Sequence, residues 1–474
     1  MDSLANIESV KGIAHPLYEA GVCALCILRS AVVPIGPAYL ESPATIYRAL
    51  GITQSNSQGP CPACLSILST ELFDQAVAMY KGEEFDCTTV CVNVEMPKSI
   101  YVRQKSLQIF NKRTPTEMKD TIKYIIGKRL AESCCVAIDS ESEMHIDIAF
   151  KHPESAKDHQ FLIDREGTTI KTRSFRKKGV DRTEGDSTSA IVADLVQCDE
   201  STVQQQFGVP PPAIQEAAEI ESVVYRRKPL FVGGRYLKLE RNISQTPFVV
   251  EGKRVTELSV SEVIGDPIKD LIRCDSYNMV GSGREDADVR MLGDGRPFYI
   301  ECTNPRRTNI TQEQISQIEK HLTETGSAVQ CRRLQIIRPE DTKIIKEGEE
   351  HKTKHYCALV WFATLLDSET LDEINRLGSG AIELNQATPI RVLHRRAPLV
   401  RKRKLLRLDL VHLEGHFYRV RIESEAGTYI KEFVHGDLGR TVPSLSSLAG
   451  DITADIIELD VENVSLDFPP AITK

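Results

Sequence analysis

Two runs of alternating apolar residues, Leu405 to Leu413 and His416 to Glu423, flank Glu414-Gly415 and constrain this chain more than any other feature. Successive side chains of a strand point to opposite faces, so Leu406, Leu408 and Leu410 share a side and Tyr418, Val420 and Ile422 answer from the partner strand. An antiparallel hairpin with one buried face follows, and such a face needs helices to cover it. Helical periodicity at residues 259–272, 311–323 and 430–438 predicts the cover. A second hairpin is predicted where Asp286 to Leu292 and Arg296 to Cys302 flank Gly293-Asp-Gly295. The expected class is α+β, with a central mixed, mainly antiparallel sheet in the C-terminal part.

A chain of 474 residues, 41% hydrophobic and 27% charged, is long enough for two or three cored domains. Three are expected: a zinc-binding segment at 1–95, an α/β part at 96–222 and a catalytic part at 223–474. In the first, Cys23-x-x-Cys26 and Cys61-x-x-Cys64 are two knuckles able to place four thiolates on one tetrahedral ion. We read them as a structural Zn2+ site; four unrelated thiols are the alternative, because the intervening span of about 34 residues exceeds usual zinc-ribbon spacing. Cys87, Cys91, Cys134 and Cys135 are read as small buried hydrophobes. In the second part, Thr114-Pro115-Thr116-Glu117 predicts a helix start, followed by an apolar face at Met118, Ile122, Ile125, Ile126 and Leu130. Alternation at Met144, Ile146, Ile148 and Phe150 predicts a strand. Pro210-Pro-Pro212 is expected to mark a boundary before a short helix at 213–224.

The net charge of −8 argues against a uniformly basic nucleic-acid coat, so RNA contact would fall to local patches. Between Lys171 and Arg182 six lysines and arginines face one acid, and between Arg391 and Arg407 there are eight and no acid. The second run is expected either to project as a phosphate-clamping loop or to be a solvated connector, with Arg226, Arg227 and Lys228 extending the track. No secretory signal or membrane span is expected, and thirteen cysteines suit reduced thiols in an intracellular protein.

Gly281-Ser-Gly-Arg-Glu-Asp-Ala-Asp-Val-Arg290 holds the candidate reactive group. Its glycines permit a sharp loop close to a ligand. Asp286, Asp288 and Asp294 compete for the central role, and Asp294 is better suited to making an Asp-Gly turn. Downstream, Gly427-Thr-Tyr-Ile-Lys431 offers Tyr429 and Lys431; in an extended segment their i, i+2 spacing puts an aromatic plane and a cation on one face.

These stretches resemble the active-site motifs of pseudouridine synthases. Gly233-Gly-Arg-Tyr236, Arg241-Asn-Ile-Ser-Gln-Thr-Pro247, Pro389-Ile-Arg-Val-Leu-His-Arg-Arg396 and Lys431-Glu-Phe-Val-His-Gly-Asp-Leu-Gly-Arg-Thr441 narrow the likeness to the archaeal and eukaryotic tRNA pseudouridine synthases of the tenth family, over roughly residues 225–465. The second part looks like the RNA-binding module called THUMP. The resemblance implies a tRNA substrate, isomerised at T-arm uridine 54 and/or 55 in the nucleus and/or cytoplasm. It selects Asp286 as nucleophile or base on a flipped uridine, with Arg284 holding the nucleotide, Tyr356 and Tyr429 giving aromatic surface, and Lys431 supplying the opposite charge. No group leaves, so no cofactor is expected for catalysis, and protein partners are left open.

Other classes differ in what they require. A non-catalytic tRNA-binding protein would not need aspartate, tyrosine and lysine together. A differently modifying enzyme would need a glycine-rich nucleotide loop entering a helix, whereas Gly281-Ser-Gly283 leads into Arg-Glu-Asp. No nucleotide cofactor is therefore expected. A glycosidase-like pair of carboxylates is a further option, since a bond to ribose is broken.

Overall fold

A computed structural model describes residues 10–53, 59–165, 168, 170, 187–394 and 396–471, with backbone alone at 173–177, 180–184 and 348–351. The chain divides into two compact units, Met1–Arg227 and Lys228–Lys474. Among the described residues no helix is long and apolar enough to cross a membrane.

The first unit runs α1 (Lys11–Glu19), α2 (Ala24–Ser30), α3 (Pro43–Ala49), α4 (Thr70–Glu83), β1 (Thr89–Glu95), α5 (Ser99–Asn111), α6 (Met118–Cys134), β2 (Ala137–Ile138), β3 (Met144–Lys151), α7 (Gln160–Asp164), β4 (Arg173–Lys177), β5 (Val180–Glu184), α8 (Thr188–Gln197), α9 (Glu200–Gln206) and β6 (Glu219–Arg227). Its main sheet has the order β2-β1-β3-β6. The predicted apolar face of α6 is buried, as are alternate residues of β3. However, α6 starts at Met118 rather than at Thr114-Pro115. Thr114 instead accepts a hydrogen bond from Gln108 at 3.1 Å, and the Thr116 carbonyl accepts one from buried Arg29 at 2.8 Å.

Residues 219–227 form strand β6 where a helix was expected over 213–224. They pair antiparallel with β3 from Met144↔Arg227 to Lys151↔Glu219. Ile220, Val223 and Tyr225 pack on the core, so a non-local edge decided what the local sequence left open. The same sheet engages Arg226 with Asp147 and Arg227 with Asp86, so neither is a free cation for an RNA track. Of the basic run from Lys171 to Arg182, residues 171, 172, 178 and 179 lie outside the described residues, and the backbone of 173–177 and 180–182 lies in the β4–β5 hairpin.

The second unit runs β7 (Leu230–Lys238), β8 (Val249–Val250), β9 (Lys253–Arg254), α10 (Val260–Ile272), β10 (Ser276–Gly281), β11 (Arg290–Thr303), α11 (Gln312–Glu324), β12 (Val329–Ile337), α12 (Thr342–His351), β13 (Lys354–Phe362), α13 (Ser368–Gly378), β14 (Ile382–Ala387), β15 (Val400–Glu414), β16 (Phe417–Ser424), α14 (Ile430–His435), β17 (Thr441–Val442), α15 (Leu445–Leu448) and β18 (Ala454–Val464). Ten of its described strands form one sheet in the order β12-β7-β11-β18-β13-β16-β15-β14-β17, with β10 beside β11, and β8 pairs only with β9. Only the β11–β18 pairing is parallel among them, so the sheet is mixed and mainly antiparallel. The β15–β16 hairpin turns at Gly415 as predicted. Helices α10 and α11 bury Ile264, Ile268, Ile315 and Leu322 against the sheet.

The other predicted hairpin is absent. Residues 290–303 are one strand, and Gly293-Asp-Gly295 is a bulge within it, between Met291↔Lys238 and Arg296↔Tyr236. A Cβ on Gly293 would lie 1.9 Å from the Glu462 carbonyl oxygen, so glycine is required by the approach of β18 rather than by a turn. The basic run after Arg391 is likewise not a projecting loop throughout: Arg401, Lys402, Arg403 and Lys404 start β15 and pair with β14. Their burial alternates, with Arg401 and Arg403 partly covered and Lys402 and Lys404 exposed.

Candidate active site

The loop after β10 is fixed from beneath. Gly283 has φ +85°, and a Cβ there would meet Lys354 Nζ at 2.9 Å and Arg296 Nη1 at 3.0 Å, so glycine lets the loop lie on two cations. Buried Arg296 donates to the Ser282 carbonyl at 2.8 Å and to Glu285 at 2.8 Å. The Tyr236 hydroxyl donates to Glu285 at 2.9 Å, while Gln245 donates to Tyr236 and to the Gly283 carbonyl. Burial opposes the charge on Arg296, and the Glu285 carboxylate more than offsets it. Lys238, fully buried on β7, donates to the carbonyls of Ile243, Asp286 and Ala287 at 2.7, 2.9 and 3.2 Å. Its desolvation lowers its proton affinity below the usual lysine range. Arg241 donates to the Asp288 carbonyl at 2.9 Å. The Gly233-Gly-Arg-Tyr236 and Arg241 stretches thus hold the aspartate loop.

Above these clamps stands the Asp286 side chain, 39% exposed. Two cations approach its Oδ2: Arg391 Nη1 at 3.0 Å and Lys431 Nζ at 3.3 Å. Lys431 is closer to Asp288, at 2.7 and 3.0 Å. Burial works against the Asp288 carboxylate, and the Lys431 hydrogen bonds more than offset it, leaving its pKa below the usual range. Arg391, in a short turn at Ile390–Val392, was not singled out by sequence. Its signal was the Pro389 to Arg396 stretch, which carries part of the family resemblance and of the basic run without marking Arg391 itself. The Ile390 amide donates to Asp437 at 3.2 Å, and Arg440 donates to the Thr388 carbonyl at 2.7 Å, so the stretch after Lys431 positions this turn.

Tyr429 and Lys431 do not share a face through strand spacing. Tyr429 is the N-cap of α14 and Lys431 lies in its first turn, yet both line the same cavity. Gln386 on β14 fixes the Tyr429 backbone by donating to its carbonyl and accepting from its amide, both at 3.0 Å. The Tyr429 hydroxyl accepts from Arg396 at 3.2 Å. Tyr356 on β13 lines the cavity too, its phenol pushed up to about 12 by burial against the opposing pull of Arg296. Arg284 is exposed at the rim. The cavity is about 930 Å³, and Phe248, Asn278 and Lys354 contribute to its wall. An acid flanked by cations in a cavity with two phenol rings can attack or deprotonate a sugar while the rings hold a base.

In the other unit, the thiol sulfurs of Cys23, Cys26, Cys61 and Cys64 all lie within 4.8 Å of one another. Tetrahedral Zn–S bonds of about 2.3 Å imply sulfur–sulfur distances near about 3.8 Å. Cys23 and Cys64 are 3.8 Å apart, and the Cys23 amide donates to Cys61 sulfur at 3.3 Å, a contact that favours a thiolate. Burial disfavours a thiolate at Cys61, and hydrogen bonds from the three neighbouring thiols more than offset it. The donor set fits a closed four-sulfur metal site.

The family described as "Pus10, C-terminal" matches residues 231–465, and "Eukaryotic Pus10, N-terminal" matches 61–224. The tRNA pseudouridine synthase Pus10 of Homo sapiens is 33% identical over 436 residues, covering 89% of this chain and 81% of the relative. That of Xenopus laevis is 31% identical over 518 residues, covering 98% and 99%. That of Archaeoglobus fulgidus is 39% identical over 250 residues, covering 50% and 68%. Among solved structures, a Cbf5-Nop10-Gar1 complex is similar with 17% identity and a TM-score of 0.28, covering 49% of this chain and 48% of that one.

Proposed function

The chain belongs to the Pus10 family, whose curated relatives are tRNA pseudouridine synthases, and on that footing we propose that it isomerises uridine 54 and/or 55 in the T-arm of tRNA. The observation that carries the catalytic reading is the placement of Asp286 Oδ2 between Arg391 and Lys431 in a cavity also lined by Tyr356 and Tyr429. Asp286 acts as nucleophile on ribose C1′ or as base on the ribose. A flipped uracil lies against Tyr356 and Tyr429, with stacking worth about 1 to 3 kcal/mol. Arg284, exposed at the rim and with no hydrogen bond or ion pair to the described residues, holds the extruded nucleotide. Lys431 bridges Asp286 and Asp288 and keeps the loop charge-balanced.

Zinc in this reading is structural. Cys23, Cys26, Cys61 and Cys64 hold it, and four thiolates leave no open position for chemistry. The first unit, with its THUMP-like likeness, and the exposed lysines of β15 supply RNA contact.

The test is incubation of an unmodified tRNA transcript with the full chain and no added cofactor, followed by pseudouridine mapping and mass measurement. Pseudouridine at 54 or 55 with unchanged RNA mass is expected. A mass gain would assign a different modification, and an abasic site would assign a glycosidase.

A further inference from the structure

The two cations on Asp286 differ in what else they hold. Lys431 stays bound to Asp288 through two hydrogen bonds. The other partner of Arg391 is Glu432, whose side chain is 2% exposed and whose Oε1 accepts from Arg391 Nε at 2.7 Å. Glu432 Oε2 has no hydrogen-bond partner among the described residues, so its charge is committed to Arg391. Separating a buried carboxylate from its cation is strongly unfavourable, so Glu432 pins the guanidinium while Nη1 reaches Asp286. A guanidinium has five donors, and this arrangement leaves several for a ligand.

The proposed reaction moves one negative charge. If Asp286 attacks C1′, an O–C1′ bond forms, the C1′–N1 bond breaks and its electron pair leaves with uracil. If Asp286 instead takes the C2′ proton, the C2′–H pair becomes the C1′=C2′ double bond and the C1′–N1 pair again leaves with uracil. By either route Asp286 becomes neutral and uracil becomes an anion. Resting on that reading of the site, we propose that Arg391, held by Glu432, takes over this charge: it pairs with Asp286 before cleavage and with the departing uracil anion after it. A cation already in place meets the charge without reorganisation. Lys431 is less suited, because Asp288 remains beside it throughout.

The test uses the full chain as wild type, Arg391→Met, Arg391→Lys and Glu432→Gln. Transcripts carry uridine or 5-fluorouridine at the modified position, since fluorine stabilises the uracil anion and lessens its need for a cation. Glycosidic cleavage is measured in single turnovers at saturating RNA. Arg391→Met is expected to slow uridine cleavage on the order of 10²-fold. Its tRNA affinity should stay within about twofold, and the rate loss should shrink several-fold on 5-fluorouridine. Arg391→Lys keeps the charge but cannot bridge Glu432 and Asp286, so it should fall between, with Glu432→Gln following the same pattern. The same loss on both bases, or a loss confined to RNA affinity, would overturn the proposal. A wild type that forms no pseudouridine would refute the activity itself, a separate failure.

Discussion

At Asp286 both cations crowd Oδ2, and no hydrogen bond among the described residues engages either oxygen of the side chain. The loop is held instead through its backbone carbonyls, by Arg296 at Ser282, Lys238 at Asp286 and Ala287, and Arg241 at Asp288. Asp286→Ala should therefore leave folding and tRNA binding nearly intact while abolishing pseudouridine formation, checked by mapping beside a filter-binding assay. Asp288→Ala should retain activity to within about tenfold, because its side chain serves Lys431 and frees that lysine for Asp286 when removed. Full activity of Asp286→Ala would pass the catalytic role to Asp288. Tyr429→Phe keeps the ring and loses the hydroxyl bonded to Arg396, so a large rate loss with unchanged binding would assign that hydroxyl to proton transfer at uracil C5. That Asp286 would line the cavity was legible in sequence, because a glycine loop and a family motif both mark it. Arg391 was not, since its partner Glu432 lies 41 residues downstream and only the fold brings them together.

Elements were legible where their pattern was local and illegible where a distant strand chose for them. Helices α10 and α11 lie within a residue or so of their predicted spans, their serine and threonine N-caps accepting backbone hydrogen bonds as such residues do. Residues 219–227 and Gly293-Asp-Gly295 were misread because β3 and β18, not the adjacent residues, set their conformation. The β11–β18 junction shows how such a non-local pairing is held. Asp460 accepts from Arg290 at 2.6 and 2.8 Å and from Arg241 at 2.9 Å. Burial opposes its ionisation and these arginines more than offset it, so its folded pKa is depressed. A carboxylate with a depressed folded pKa stabilises the fold above its unfolded pKa of about 3.9 and loses that contribution as pH falls through the folded value. Asp460→Asn should cost about 1 to 3 kcal/mol in urea titrations at neutral pH, and the gap to wild type should narrow from about pH 5 to about pH 3. A gap independent of pH would show that packing, not charge, is what the substitution disturbs. On β15, which pairs with β14 and β16, alanine at Arg401, Lys402, Arg403 and Lys404 should weaken tRNA binding and lower the log–log salt slope by up to about 3 or 4. Exposed Lys402 and Lys404 should account for most of it, since Arg401 donates to Thr388 at 3.4 Å and Arg403 to the Lys402 carbonyl at 3.3 Å.

At the scale of the whole molecule, the two units are stabilised by different means. Residues 228–474 bury one extensive apolar cluster on a ten-stranded sheet. The first unit also has a core, but Cys26, Cys61 and Cys64 sit within it and Cys23 packs against it, so three thiols occupy space that would otherwise be filled by hydrocarbon. Arg29 donates to Cys26 sulfur at 3.8 Å, so one buried cation already meets the cluster, but this single guanidinium does not balance the buried charge of several thiolates without a metal. With one, the cluster becomes a cross-link between α2 and the turn at Cys61 to Cys64, which are separated by more than thirty residues of chain. Metal affinity in such a site adds directly to folding stability, because the ligands are not preassembled in the unfolded chain. Purified protein should therefore carry about one equivalent of zinc, lost in the double variant Cys23→Ser, Cys26→Ser. A strong chelator should expose the first unit to limited proteolysis and leave the fragment beginning near Lys228 resistant, since the cluster that holds that unit together contains none of the four cysteines. Metal-free protein that resists proteolysis throughout would show that the four thiols are only buried hydrophobes that happen to meet.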